Sequence, residues 1–288
     1  MIDRNIHIDW VDGAKGVAIL SVILLHSLPC LRETGWMWHI GQAVPVFLFI
    51  TAYLVSVRME SIKTYFTFDR FARMLRKVFV PFVLVLIQQV GCLALADKDL
   101  SIKAIIRDGG IGPGSYYIWL YLQSWILIPF MVWLVRKVPV WASCLIMLAI
   151  SMVAEYAFVP IEDIKFVGDV YRLMPIRYLM VLYLGCVWPM LKDKQKYIFY
   201  GLAGVAALLI LNDVYLVDNM WFANSFMGGG KIVPSYWNGY HWYTAFYVLI
   251  PMAILEKIHY TEIWKQAGKY SWYIFLMQMM CFGFYEFV

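Results

Sequence analysis

Charge is scarce in this sequence: Asp, Glu, Lys and Arg make up 15% of its 288 residues against 62% hydrophobic residues, and the mean hydropathy is +0.68. A soluble single domain has no use for that much apolar surface, so a water-soluble globular class is excluded. Paired cysteines are missing as well. Cys30, Cys92, Cys144, Cys186 and Cys281 are odd in number and widely spaced, with no CxxC pair and no histidine at metal-ligand spacing. This argues against a disulfide framework and a zinc site and leaves the five as small apolar residues; no metal is expected. The N-terminus lacks the basic start of a secretory signal. "MIDRNIHIDWVDGAK" carries three aspartates against one Arg and one Lys, and "SLPC" after the first apolar run offers no small-residue cleavage site, so that run reads as a retained span. Repeats, low-complexity tracts and soluble stretches of domain size are absent too. Function is therefore expected in one membrane domain over residues 1–288 and its short loops. The net charge of +5 does not argue for nucleic acid, because the basic residues are scattered between apolar runs.

Apolar runs of membrane length are what the sequence has in abundance. They lie near 14–29, 40–57, 78–96, 115–135, 138–159, 173–191, 197–217, 242–255 and 271–288, which predicts an all-α polytopic bundle of about nine spans. Many of the 13 Trp and 20 Tyr fall at the ends of these runs, as in interfacial belts. With the N-terminus in the cytoplasm, 16 of the 24 Lys and Arg residues face inward, as the positive-inside rule requires.

Within the first run, "DGAKGVAILSVILLH" raises a problem, because ionisable residues are costly in a bilayer. Lys15 and His26 are eleven residues apart, which is three helical turns and about 20°, so they share one face, with Asp12 a turn before Lys15. The rise between them is about 16 Å. Such a stripe is expected to line something polar. Lys15 reads equally as a snorkelling interfacial lysine. His26 at depth reads as a proton-transfer group, or as a cap on a neighbouring carbonyl.

"FTFDRFARMLRKVFVPF" places Arg70, Arg73, Arg76 and Lys77 at the inner mouth of the third run. Guanidinium forks spaced by three suit phosphate oxygens, although plain positive-inside charge gives the same pattern. "GIGPGSYYIWLYLQSWILIP" reads as an outer loop feeding a span, with Tyr116, Tyr117 and Trp119 at the interface and Gln123 as a helix-to-helix hydrogen bond or a ligand contact. "PSYWNGYHWY", with Trp237 and His241, suits either stacking on a sugar ring or an interfacial belt. Glu155 and Arg177, near outer ends of spans, form either an ion pair or an acceptor contact.

Taken together these stretches resemble acyltransferase family 3, multi-spanning enzymes that acylate cell-surface glycans. "DGAKGVAILSVILLH" is similar to the family's first-span signature of a basic residue, ten positions and a histidine, filled by Lys15 and His26. The family's Arg-x-x-Arg motif matches either Arg70 with Arg73 or Arg73 with Arg76. "GPGSYYIWLYLQ", "YRLMPIRYLMVLYLG" and "GKYSWYIFLMQ" look like further spans in the family's order. Thr51, Ala52 and Tyr53 stand where many relatives have Ser-Gly-Phe, and nine spans are one fewer than the common ten.

The resemblance implies a bacterial inner-membrane O-acyltransferase, using acyl-CoA, usually acetyl-CoA, as co-substrate and no permanently bound cofactor. Its acceptor is a polysaccharide or glycolipid on the outer face. It implies His26 as base or acyl carrier, Lys15 and Asp12 beside it, the arginines on the nucleotide, and Glu155, Arg177, Trp237, His241 and Gln123 as candidate acceptor contacts. The rival class is a transporter or flippase of a lipid-linked sugar or polysaccharide with His26 as proton relay. Against it stands the lack of inverted repeats or paired broken helices.

Overall fold

A backbone in hydrocarbon must satisfy its own polar groups, which a helix does within one segment. The computed structural model is helical in its regular elements, with no strand among the described residues, which are 8–28, 41–95, 105–106, 108–112, 114–158, 173–211, 242 and 244–285. In chain order the helices are α1 (Asp9–Ser27), α2 (Ala43–Arg58), the single turn α3 (Ile62–Tyr65), α4 (Phe68–Leu95), α5 (Tyr117–Lys137), α6 (Val140–Phe158), α7 (Leu179–Val187), α8 (Asp193–Leu211), α9 (Leu249–Leu255), α10 (Glu262–Lys269) and α11 (Ser271–Tyr285). The described residues of each apolar run marked in the sequence are largely helical. Among the described residues three helices are long and apolar enough to cross a membrane, Trp10–Ser27, Phe68–Leu95 and Tyr117–Lys137. Leu84 and Ile87 on α4, Val153 on α6 and Leu208 on α8 stay exposed, an arrangement that suits lipid rather than water.

α7 is the inner helix of the bundle. All nine of its residues are buried, as expected for a helix that is apolar on every side. Gly185 lets it approach α2: a Cβ there would strike the Phe49 carbonyl and the Ala52 methyl. The Ser56 hydroxyl donates across the same crossing to the Cys186 carbonyl at 2.6 Å. The end of α2 is closed by Arg136 of α5, whose guanidinium donates to the carbonyls of Ser56 (2.9 Å), Met59 (2.6 Å) and Glu60 (3.1 Å). Arg136, expected only as an inward positive charge, thus caps the orphan carbonyls of a helix C-terminus.

α10 has no counterpart among the expected spans. It is a short amphipathic helix packed across the start of α1 through three glycines. A Cβ on Gly13 would fall inside the Tyr260 ring, one on Gly16 would meet the Trp264 carbonyl, and one on Gly268 would overlap the Asp12 carbonyl. Tyr260 is fixed by its hydroxyl, which donates to the Leu255 carbonyl at 2.7 Å.

The described residues of the segment before α5, expected as an outer loop, pack between α4 and α11. Gly109, Gly110, Gly112 and Gly114 all have positive φ, and a Cβ on Gly110 would meet Met279, Gln89 and Leu86. Irregular backbone at this depth needs hydrogen-bond partners from protein. Gln89, fully buried on α4, provides them: its amide donates to the Ile111 carbonyl (2.7 Å), its carbonyl accepts the Ile111 N–H (2.8 Å), and it donates to the Met279 carbonyl (3.3 Å).

Candidate active site

α1 delivers two ionisable side chains to one cavity. Lys15 in its second turn and His26 in its last turn both line a cavity of about 600 Å³, walled by α1, α2, α5 and the α10–α11 joint. That volume is within the range of small-molecule sites, roughly 300–1,000 Å³. The Lys15 ammonium lies 3.4 Å from the Asp12 carboxylate, an i,i+3 pair on the same helix.

Further cations line the same cavity. Arg58 closes α2, Lys77 sits in α4, and Lys269 ends α10, next to the Gly268 contact with α1. Each arrives by a separate structural device. α2 runs antiparallel to α1, so its last residue returns to where α1 begins. Gly268 presses α10 onto α1 and carries Lys269 with it. Lys77 lies in a π-turn, Leu75–Phe79, that interrupts α4.

The arginines expected at the inner mouth of the third run are not part of this lining. A π-turn holds one more residue than an α-turn, so it rotates the N-terminal part of α4 by about 100° relative to the C-terminal part. Lys77, itself exposed, and Val78 line the cavity, whereas the exposed Arg73 and Arg76 lie outside its lining. Arg70 stacks its guanidinium 5.0 Å from the centre of the Tyr65 ring. Tyr65 itself lines the cavity; burial raises its phenol above the ordinary tyrosine range, Tyr121 adds to this and Arg70 opposes it, so it is present as a neutral hydroxyl.

Aromatic rings form the wall between the two ends. Tyr117 and Tyr121 of α5 and Trp272 and Phe275 of α11 make a closed circuit, with centroids 6.3 Å (Tyr117–Tyr121), 5.9 Å (Tyr121–Trp272), 5.8 Å (Trp272–Phe275) and 5.7 Å (Phe275–Tyr117). Tyr116 and Tyr117, expected in an interfacial belt, are cavity residues instead, because the glycine loop draws the start of α5 inward. Trp119 turns away and donates its indole N–H to the Ile106 carbonyl at 3.0 Å. Thr51, one of the positions that depart from the family pattern, also lines the cavity, with its hydroxyl donating to the Phe47 carbonyl at 2.7 Å.

The remaining candidates lie elsewhere. Gln123 donates to the carbonyls of Leu173 (2.7 Å), ahead of the turn that leads into α7, and of Trp119 (3.1 Å), one turn back on its own helix. Glu155 is buried on α6 and accepts the Trp242 N–H at 2.9 Å. Arg177 stands in the turn Pro175–Tyr178 that leads into α7. Trp237 and His241 lie outside the described residues. Sequence reasoning passed over Arg58, Lys77 and Lys269 as ligands and Gln89 altogether. For Gln89 a signal was present: Gln88 and Gln89 are adjacent amides inside an apolar run, and such residues bind backbone or another helix.

An acyltransferase-domain family model matches residues 8–287. That is essentially the whole chain, and the chain belongs to this acyltransferase family. No curated protein and no solved structure matches it. Membership makes it an enzyme that transfers an acyl group other than aminoacyl, with a donor and an acceptor to accommodate, and so decides between the enzyme and the carrier readings.

Proposed function

We propose that this acyltransferase takes an acyl group, acetyl foremost, from cytoplasmic acyl-CoA and passes it to a hydroxyl of an exported polysaccharide or glycolipid at the bacterial inner membrane. The observation that carries this reading is the single cavity with Lys15 and further cations at one end and His26 at the other. The chain then crosses the membrane about nine times as one domain, with the Lys15 end facing the cytoplasm, in keeping with the distribution of Lys and Arg.

In this arrangement the phosphates of the donor stay at the cationic end and the thioester arm extends along the aromatic wall. The helix rise of about 16 Å from Lys15 to His26 keeps Lys15 with the donor's anionic part, held in place by Asp12, and away from the reacting carbonyl. At the other end the His26 imidazole takes the proton of the acceptor hydroxyl as its oxygen attacks the thioester carbonyl. The new C–O bond forms, the C–S bond breaks, and the departing thiolate recovers the proton from the imidazolium. Glu155, Arg177, Trp237 and His241 fall on the acceptor side in this topology. Gln123 is left out, its amide being engaged by backbone.

Mass spectrometry of surface glycans from the host with and without this gene tests the reading. Acetyl groups are expected to disappear on deletion and to return with the wild-type gene but not with His26→Ala. Unchanged acylation of every surface glycan after deletion overturns it.

A further inference from the structure

We propose that Arg58, Lys77 and Lys269 bind the phosphate groups of the donor, and that the arginine row of α4 does not. The inference deepens the proposed reaction and rests on it. Three elements far apart in sequence, the end of α2, the π-turn of α4 and the end of α10, bring these cations into the lining of one cavity. Among the described residues no carboxylate pairs with any of the three, while the fourth cation, Lys15, is paired with Asp12. Like charges repel wherever they converge without counterions. A polyanion arriving at this mouth removes that repulsion and gains charge-assisted hydrogen bonds.

Ordinary positive-inside charge does not account for the arrangement. Residues that only set orientation need to lie on the correct side of the membrane, and nothing directs them at a cavity. Arg73 and Arg76 behave in that way: all five side chains are exposed, but these two lie outside the lining. Lys269 differs, because the Gly268 crossing fixes the backbone beside it against Asp12 and Gly16. Lys77 differs as well, because it lines the cavity while its neighbour Arg76 in the same π-turn does not. The cavity volume of about 600 Å³ suits a thioester arm and leaves a bulky nucleotide at the mouth, where these three side chains stand.

The test measures equilibrium binding of acetyl-CoA and of acetyl-pantetheine, which has the thioester arm but no phosphate, to the full-length protein in phosphatidylcholine nanodiscs. Arg58→Gln, Lys77→Gln and Lys269→Gln are each expected to weaken acetyl-CoA binding about tenfold, the loss of one charge-assisted contact, and to change acetyl-pantetheine binding less than about twofold by the same reasoning. Lys269→Arg, which keeps the charge, is expected to retain most of the affinity, and Arg73→Gln and Arg76→Gln to bind as wild type does. Equal weakening of both ligands overturns the proposal, since the residues would then be shaping the cavity. Unchanged acetyl-CoA affinity in all three Gln variants overturns it too. If the cluster holds lipid phosphate instead, affinity stays unchanged and native mass spectrometry of protein from native membranes shows bound phosphatidylglycerol lost on substitution. Failure of the wild type itself to bind acetyl-CoA is a separate result: it removes the proposed donor and this inference together.

Discussion

Gly268 of α10 lies directly on the backbone carbonyl of Asp12 in α1, with the Gly16 amide beside it, so that no side chain fits between the two helices. This contact sets the sign of a substitution that is usually benign. Gly to Ala in a helix interior ordinarily gains roughly 0.5–1 kcal/mol. Here the added methyl meets backbone that has no rotamer with which to yield, and overpacking of that kind costs about 1–3 kcal/mol. Gly268→Ala is therefore expected to lower the thermal midpoint of the purified protein and to weaken donor binding, because Lys269 moves with the helix. A midpoint equal to that of wild type contradicts the tight crossing.

His26→Ala is expected to reduce acyl transfer by about 10²- to 10⁴-fold, the usual contribution of a general base. Expression, membrane insertion and unfolding midpoint should stay near those of wild type, because the side chain lines a cavity and is not part of the packed core. Turnover within a few-fold of wild type removes His26 from the mechanism.

Gln89→Leu keeps the volume of the side chain and deletes three hydrogen bonds, two of them to Ile111. The part-buried N–H and carbonyl of Ile111 lose these partners, at up to about 1–3 kcal/mol for a group left unsatisfied. Faster hydrogen exchange is expected across 108–112, together with reduced activity, since Gly114 and Tyr116 line the cavity just beyond the loop. Unaltered exchange means that the loop is held by its glycines and packing alone.

Arg136 offers a way to separate topology from capping. Arg136→Lys keeps the positive charge, and membrane orientation is expected to survive it. An ammonium is a point donor and does not replace the fork that serves Ser56, Met59 and Glu60, so stability is expected to fall by about 1–2 kcal/mol. Thermal unfolding of the Lys and Ala variants checks this. A Lys variant as stable as wild type reduces Arg136 to a topological charge.

Several features are legible in the sequence because they depend on local periodicity. The helical runs follow from apolar composition over membrane-length windows. The common face of Lys15 and His26 follows from eleven residues at 100° each, and both side chains do line one cavity. Asp12 is expected beside Lys15, and it pairs with it at 3.4 Å.

Other features depend on long-range contacts. The arginine row belongs to a regular helix in the sequence reading, and the π-turn at Leu75–Phe79 breaks the register on which that reading relies. The aromatic start of α5 reads as a belt because nothing local shows that four positive-φ glycines will fold inward against Gln89. Nothing local to the charged segment between the last two apolar runs shows that the Gly268 crossing on α1 will bring Gly268 and Lys269 into the lining of the cavity.

By itself, then, the sequence determined the membrane class, the helical state of the apolar runs, the α1 stripe and, through its weak motifs in order, the family. These are set by hydropathy and by the 3.6-residue period, which act over a few turns of one helix. Only the tertiary structure decided which cations surround the cavity, which aromatics wall it and which amide supports the glycine loop. Those depend on how closely two backbones approach and on where a helix departs from its period, and such distances are fixed by residues far away in the chain.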